Sequence, residues 1–149
     1  MPQSLVQIYL HIVFSTKNRL PTLKDIQVET YSYLAGICKN LECPALIIGG
    51  AEDHIHLLTS HSKNKTIAEF LRDLKRSSSK WIKTLNSDLT SFSWQNGYGA
   101  FSISATHIED LKKYIANQKQ HHNNNSFKNE FRRLCKKYDV AIDERYVWN

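Results

Sequence analysis

The sequence predicts an α+β fold: a ferredoxin-like (split βαβ) antiparallel sheet with helices packed on it and further helices appended toward the C-terminus. Two observations lead to this prediction. Runs rich in β-branched and aromatic residues alternate with amphipathic segments in the order strand, helix, strand, strand, helix, strand. The second and third strands in sequence are separated only by a short glycine-containing turn, as in a hairpin. Neither an internal repeat nor a linker divides the chain, so we expect residues 1–149 to form one domain.

The first half of the chain supplies three strands and one helix. The segment from Leu5 to Ser15 predicts a strand that is largely buried on both faces, because it is rich in β-branched and aromatic residues. After a polar loop, apolar residues at helical spacing predict a helix from about Asp25 to Leu41, which Pro44 prevents from continuing. The segments ALIIGG and HIHLLTS predict two short strands joined through a glycine pair and acidic residues.

The second half supplies the remaining strand and three helices. Thr66 and Glu69 form a capping-box pattern that opens a long helix, whose apolar stripe lies opposite a row of arginines and lysines. The segment NGYGAFSISAT predicts the fourth strand, and an amphipathic helix is expected from Ile108 to about Gln120. A loop, HHNNNSF, then leads to a final helix over FKNEFRRLCKKYDV and to the tail RYVWN.

Composition and charge favour a cytoplasmic protein with a polyanionic partner. The net charge of +6 and the pI near 9.2 make nucleic acid the first partner to consider. No segment approaches the ~20 apolar residues that cross a bilayer, so no membrane association is expected. The three cysteines fit reduced thiols better than a disulfide framework.

Two histidines, His54 and His56, stand one residue apart in a predicted strand. Since a strand alternates its faces with a period of two, both imidazoles project from the same face. The pair is either half of a metal site or two polar residues on a solvated face. Cys38 and Cys43 precede it in a C-x4-C-x10-H-x-H pattern, but these spacings differ from those of structural zinc sites, and a small buried thiol also explains Cys38.

Basic residues form a row on the second long helix. Arg72, Arg76 and Lys80 lie on one side of it, and Lys17 and Arg19 add positive charge from the loop TKNR. The row is equally consistent with a surface that follows DNA phosphates and with a solvated helix face.

Tyr114 and Gln118 are four residues apart on the predicted helix that begins at Ile108, and they therefore share one face. A tyrosine can act as a nucleophile, and a glutamine carbonyl can bind a metal ion. A half-buried tyrosine beside an exposed glutamine would produce the same spacing.

Six motifs, taken together, resemble a known family along nearly the whole chain. They are FSTKNRLP, EDHIHLL, FLRDLKRSSSKWI, WQNGYGAFSIS, YIANQ and DERYVW. Their order and content are similar to those of the single-tyrosine HUH transposases of the insertion-sequence 200/605 type, including the REP-associated tyrosine transposases. Histidine–hydrophobic–histidine is the signature of that family, and Ile55 is the middle residue here. Ala51 and Glu52 stand where relatives often have a proline, a difference that leaves the histidines in place.

The resemblance implies a metal-dependent transposase that acts on single-stranded, hairpin-bearing DNA. His54, His56 and Gln118 would bind Mg²⁺ or Mn²⁺ in a site without a carboxylate, whereas the nitrogen ligands alone would also suit Zn²⁺. Tyr114 would attack the DNA to form a 5′-phosphotyrosine and a free 3′-hydroxyl. The loop that contains Lys17 and Arg19 would hold the hairpin and the backbone together with the basic helix. Relatives act as homodimers, so a homodimer is expected here.

Two other functions remain open. A ferredoxin-like nucleic-acid-binding protein without catalysis, such as a domesticated relative, would keep the basic surface and retain the histidines and the tyrosine only as remnants. A related HUH nickase would use the same chemistry, although such proteins are usually larger.

Overall fold

The structure, a computed structural model that describes residues 2–118 and 126–149, contains a four-stranded antiparallel sheet. Its strands are β1 (Tyr9–Ser15), β2 (Ala45–Gly50), β3 (His54–Ser60) and β4 (Gly99–Ile103). They lie in the order β2-β3-β1-β4, so that β3 separates the parallel strands β1 and β2. This is the split βαβ order, and the predicted α+β, ferredoxin-like fold is confirmed.

Helices cover both faces of the sheet. They are α1 (Gln27–Asn40), α2 (Ile67–Ile82), α3 (Ile108–Ala116) and α4 (Phe127–Lys137). Leu10, Ile12 and Phe14 of β1 pack into a core with α1 and α2, whereas Val13 packs on the other face, toward α4. The strand is therefore buried on both faces, as predicted. Within residues 2–118 and 126–149, no helix is long and apolar enough to cross a membrane.

The predicted hairpin and the predicted start of α2 are both present. β2 and β3 coincide with the segments ALIIGG and HIHLLTS. The hydroxyl of Thr66 accepts a hydrogen bond from the backbone N–H of Glu69 at 3.1 Å and so caps the N-terminus of α2. Both features depend on residues that are close in sequence, which is why local patterns predict them.

β1 is shorter than predicted, because it begins at Tyr9 rather than at Leu5. Tyr9 pairs with Ser60 and with Ile103, which are the last residues of β3 and β4. Neither neighbouring strand continues alongside residues 5–8, and Leu5 is 71% exposed. The strand thus starts at the point where its partners end, whatever the strand propensity of the residues before it.

α3 also differs from its prediction, because it ends at Ala116, with Asn117 as its C-cap. Gln118 therefore lies just beyond the helix rather than on it. The predicted loop HHNNNSF falls mostly outside the described residues. Its Ser126 lies inside them and caps α4 by accepting a hydrogen bond from the backbone N–H of Asn129 at 3.3 Å.

Cys38 and Cys43 lie apart from the histidine pair. Cys38 and Cys43 are fully buried in the core that the sheet forms with α1 and α2. His54 and His56 alternate with the residues of β3 that face this core, so they project from the opposite face. These two cysteines therefore cannot share a zinc ion with the histidine pair, which agrees with spacings that differ from those of structural zinc sites. All three cysteines are free thiols, as expected.

α3 approaches β2 so closely at Gly49 that a side chain there would collide with the helix. A Cβ atom on Gly49 would lie 2.6 Å from the carbonyl oxygen of Ile115 and 2.8 Å from its Cγ2. We expect Gly49→Ala to lower the free energy of unfolding by about 1–3 kcal/mol, measured by denaturant titration, because overpacking pushes α3 off the sheet. In the control Gly36→Ala, the new Cβ meets no atom within 4 Å, and α1 should gain up to about 1 kcal/mol. Equal stability of Gly49→Ala and the wild type would disprove the close approach.

Candidate metal and nucleophile site

The two histidines of β3 are fully buried on the sheet face that α3 and α4 cover. His54 and His56 have no exposed area, and their ring centroids are 5.1 Å apart. Because β3 lies between β1 and β2, hydrogen bonds on both sides fix the backbone that carries the pair. Buried imidazoles require polar partners, and the surrounding elements supply them.

His54 is held between a carboxylate and an amide. Its Nδ1 lies 2.7 Å from Oδ1 of Asp53, and its Nε2 lies 3.1 Å from Oε1 of Gln118, which is 1% exposed. When Nδ1–H donates to Asp53, Nε2 presents its lone pair to the amide oxygen. Two acceptors that face each other in the protein interior form an arrangement that a bound cation would satisfy.

His56 is oriented by a chain of hydrogen bonds that reaches Tyr138. Its Nδ1 lies 2.8 Å from Nε2 of His11, and Nδ1 of His11 lies 3.2 Å from the hydroxyl of Tyr138. Burial, together with the neighbouring His56, holds the pKa of His11 well below its usual 6.5, so this imidazole is neutral. A neutral His11 can accept from Nδ1–H of His56 and donate to Tyr138, which leaves Nε2 of His56 directed toward Glu130.

Glu130 reaches the histidines from α4 and is 1% exposed. Its Oε1 lies 2.9 Å from Nε2 of His56, and its Oε2 lies 3.6 Å from Nε2 of His54. Burial alone would raise the pKa of Glu130, but the hydrogen bond and charge of His56, helped by His54 and Tyr114, lower it to about 2. The carboxylate is therefore ionised. One ligand atom from each of His54, His56 and Glu130 lies within 4.8 Å of the other two, a spacing suited to a metal ion.

Tyr114 lies beside this cluster and is half-buried on α3. Its hydroxyl donates a hydrogen bond to Oε1 of Glu130 at 2.6 Å, and its ring meets that of His56 edge-on, 5.7 Å between centroids. Burial and the neighbouring Glu130 raise the pKa of Tyr114 above its usual 10.0, so the phenol keeps its proton. Its ring also lines a cleft of about 530 Å³ between β4, α3 and α4.

The four site residues that the sequence predicts come together within a single chain. Gln118 contacts His54 on one side, and Glu130 joins His56 to Tyr114 on the other. Gln118 reaches His54 even though it lies beyond the end of α3. The arrangement combines nitrogen ligands, oxygen ligands and an oxygen nucleophile in one largely buried site.

Two further residues, Glu130 and His11, belong to the site but to none of the six motifs. Glu130 lies three residues after Phe127 and four before Leu134, so it is an acidic residue on the buried stripe of α4. His11 is a polar residue in an apolar strand, on the same sheet face as His56. Both signals are visible in the sequence, but only the packing of α4 on the sheet shows what these residues meet. In contrast to the expectation of a site without a carboxylate, Glu130 lies beside both histidines in the structure.

The basic residues of α2 lie away from the histidines. Arg72, Arg76 and Lys80 are exposed on this helix, which packs on the opposite face of the sheet. Arg72 and Arg76 line a groove of about 370 Å³ with the loop 94–98. Lys75 lies in the same groove and holds the loop by donating a hydrogen bond to the carbonyl oxygen of Gln95 at 2.9 Å. These cations form a basic surface that is separate from the histidine site.

Lys17 and Arg19 follow β1 and differ in accessibility. Lys17 is exposed, whereas Arg19 is half-buried, with its guanidinium 5.8 Å from the ring centre of Trp148. The guanidinium also donates to the carbonyl oxygen of Trp148 at 3.4 Å. Arg19 thus contacts the C-terminal segment, and Lys17 is the more accessible charge of this loop.

Comparison with known proteins identifies relatives of the chain. A family model described as IS200-like transposase matches residues 4–118. A solved structure of a proposed transposase from Deinococcus radiodurans R1 is similar, with a TM-score of 0.62 and 20% identity, over 77% of this chain and 93% of that chain. The structure of a REP-associated tyrosine transposase bound to a REP hairpin has a TM-score of 0.60 and 13% identity, over 80% of this chain and 72% of that chain. No curated protein sequence matches the chain significantly.

The solved structures show the fold of the chain, whereas the family model shows its family. At 20% and 13% identity, the two solved structures show a shared fold. The family model covers well over half of the sequence, including His54, His56, Tyr114 and Gln118, and ends before Glu130. The resemblance seen in the motifs is thereby confirmed, and the chain belongs to the family of IS200-like transposases.

Proposed function

We propose that this transposase cleaves and rejoins single-stranded DNA by a covalent reaction at Tyr114 that requires a divalent cation. The observation that carries the proposal is a shared carboxylate: Glu130 lies within hydrogen-bonding distance of both Tyr114 and His56. A tyrosine hydroxyl and a set of metal ligands thus meet at one point. Membership of the transposase family supports the same class of reaction.

Tyr114 supplies the nucleophile in this reaction. Its phenol oxygen forms a bond to the phosphorus of the scissile phosphate while the bond from phosphorus to the 3′ oxygen breaks, and the phenol proton ends on that 3′ oxygen. The products are a 5′-phosphotyrosine and a free 3′-hydroxyl. The 3′-hydroxyl of another strand can reverse the step, and no external energy source is needed because one phosphodiester replaces another.

The residues of the site fit a divalent cation, and the family resemblance implies Mg²⁺ or Mn²⁺. His54 and His56 would hold the ion through Nε2, with Oε1 of Gln118 and the carboxylate of Glu130 as oxygen ligands. A bound cation would withdraw negative charge from the scissile phosphate. Glu130 also holds the hydroxyl of Tyr114 beside the histidines, so the same carboxylate positions the nucleophile.

The basic surface is proposed to bind the phosphates of hairpin-bearing single strands. Arg72, Arg76 and Lys80 provide one part of it, and Lys17 and Arg19 provide another. The net charge of +6 supports this assignment, and a protein of the same fold has been solved with a REP hairpin bound. The resemblance also implies a homodimer.

A covalent-adduct assay tests the proposed function. Wild-type protein is incubated with a pool of 3′-labelled single strands that carry a hairpin and randomised flanks, in the presence of Mg²⁺ or Mn²⁺. Denaturing electrophoresis should show label at the mass of the protein plus the 3′ fragment, and a chelator should abolish this band. Absence of an adduct from the whole pool with both cations would refute the proposal.

Removal of charge from α2 is expected to reduce the salt dependence of DNA binding. The test variant carries Arg72→Gln, Arg76→Gln and Lys80→Gln. Its slope of log affinity against log salt, measured by fluorescence anisotropy, should fall by about 2, since each phosphate contact to a single strand contributes about 0.7. The control carries Lys24→Gln, Lys39→Gln and Lys63→Gln, which remove the same charge at exposed positions outside the groove. Equal slopes for the two variants would place the DNA elsewhere on the protein.

A further inference from the structure

We infer that the cleft beside Tyr114 binds one unpaired nucleotide next to the phosphate that Tyr114 attacks, and that Asp110 selects the base of this nucleotide. The inference rests on the proposed function, because it assigns part of the DNA strand to a subsite of the same reaction. It adds base recognition close to the nucleophile, on a surface separate from the basic face of α2.

The cleft has the size and the walls that a nucleotide requires. Its volume of about 530 Å³ falls within the range of about 300–1,000 Å³ that is usual for small-molecule sites. Leu111, Leu134 and the ring of Tyr138 line it with apolar surface, and Tyr114 belongs to the same lining. A nucleobase is flat and apolar on its faces, so it can lose water against these side chains while its edge remains available for hydrogen bonds.

Positive charge at the cleft comes from α4. Arg133 and Lys137 both line the cleft and are exposed, and they are four residues apart on this helix. Side chains at this spacing lie one above the other on the same side of a helix, about 5–6 Å apart at Cβ. Two such cations can contact the phosphates on either side of one nucleotide, with the base in the cleft and the backbone along α4.

Asp110 gives the cleft its selectivity. It lies in the first turn of α3 and lines the cleft, where a carboxylate repels phosphate and can only accept hydrogen bonds from a ligand. Cytosine, adenine and guanine offer amino groups on their edges, whereas thymine offers two carbonyl oxygens on either side of a single N–H. The carboxylate therefore favours a base that carries an amino group over thymine.

A variant of Glu109, the residue before Asp110, serves as the control that distinguishes base recognition from an effect on helix stability. Acidic residues in the first turn stabilise a helix whatever they line, and both of these residues lie in the first turn of α3. Glu109 forms an ion pair with Lys112 at 3.3 Å and is absent from the described residues that line the cleft. Glu109→Gln thus removes the same charge from the same turn and leaves the cleft intact.

Adduct formation with defined strands tests the inference. A strand from the reactive pool is varied in the base on each side of the cleaved bond in turn. At one of these two positions, thymine should slow the wild-type reaction about tenfold relative to cytosine or adenine. Asp110→Asn should reduce this difference to less than about twofold, and Glu109→Gln should keep it. Rates that are independent of the base at both positions, or an unchanged preference in Asp110→Asn, would overturn the inference.

Binding measured without cleavage decides the question even if the proposed chemistry fails. Fluorescein-labelled tetranucleotides of deoxycytidine and of thymidine are titrated with the wild type and each variant. The deoxycytidine strand should bind more tightly, Asp110→Asn should remove the difference, and Lys137→Gln should weaken both strands by similar factors. A protein that shows this preference but forms no adduct would refute the proposed reaction alone. Equal binding of the two strands by the wild type would refute the inference.

Discussion

Replacement of Tyr114 by phenylalanine is expected to abolish the covalent protein–DNA adduct while the protein remains folded. The change removes only the hydroxyl, which donates to Glu130 at 2.6 Å and whose oxygen forms the bond to phosphorus in the proposed reaction. Adduct yield should fall by about 10³-fold or more, because the step has no nucleophile without that oxygen. The lost hydrogen bond should lower the free energy of unfolding by about 1–3 kcal/mol, which a denaturant titration measures independently.

Tyr138→Phe is the matched control for this experiment. Tyr138 is also half-buried and lines the same cleft, and its hydroxyl contacts His11 at 3.2 Å rather than the carboxylate of Glu130. Because the Tyr138 hydroxyl acts only through the orientation of His11 and His56, its removal should slow adduct formation by no more than about tenfold. An adduct formed by Tyr114→Phe at the wild-type yield, or lost only in Tyr138→Phe, would show that Tyr114 is not the nucleophile.

The parts of the fold that depend only on residues close together in the chain could be predicted from the sequence. The short glycine-containing segment after the first of two β-rich runs predicts the β2–β3 hairpin, although both glycines lie in β2 and residues 51–53 form the connection. Thr66 with Glu69 predicts the start of α2. The start of β1 could not be predicted in this way. Leu5 belongs to a β-rich run, but β3 and β4 both end opposite Tyr9, and a strand without a partner does not form.

The site could be predicted in part, for a similar reason. The period of β3 places His54 and His56 on one face, and their spacing alone indicates this. Which helix covers that face depends on the tertiary core, where Leu58 of β3 packs with residues of α3. The contacts of Glu130 depend in the same way on how α4 packs on the sheet. Its position on an apolar stripe shows that an acidic residue is buried there, but it does not show which residues it contacts.

Glu130→Gln is expected to weaken the binding of Mn²⁺ to the DNA-free protein by at least about tenfold. The carboxylate supplies negative charge to the cluster, with oxygens 2.9 Å from Nε2 of His56 and 3.6 Å from Nε2 of His54. Glutamine is nearly the same size, so the packing of α4 is retained while the charge and one oxygen ligand are lost. Titration calorimetry, or the electron paramagnetic resonance signal of free Mn²⁺, measures this affinity without DNA. Glu29→Gln, at an exposed position of α1, removes the same charge far from the histidines and serves as the control.

The same variant separates the two roles of Glu130. Glutamine keeps a side-chain oxygen that can accept the hydrogen bond of Tyr114, so the nucleophile stays in place while cation binding weakens. A higher Mn²⁺ concentration should therefore restore adduct formation by Glu130→Gln, but neither by Glu130→Ala, which also removes that acceptor, nor by Tyr114→Phe. If the carboxylate instead blocks the histidines until DNA displaces it, both Glu130 variants would bind Mn²⁺ more tightly than the wild type. Tighter binding of Mn²⁺ by these variants would show that Glu130 is not a metal ligand and that its role is limited to positioning Tyr114.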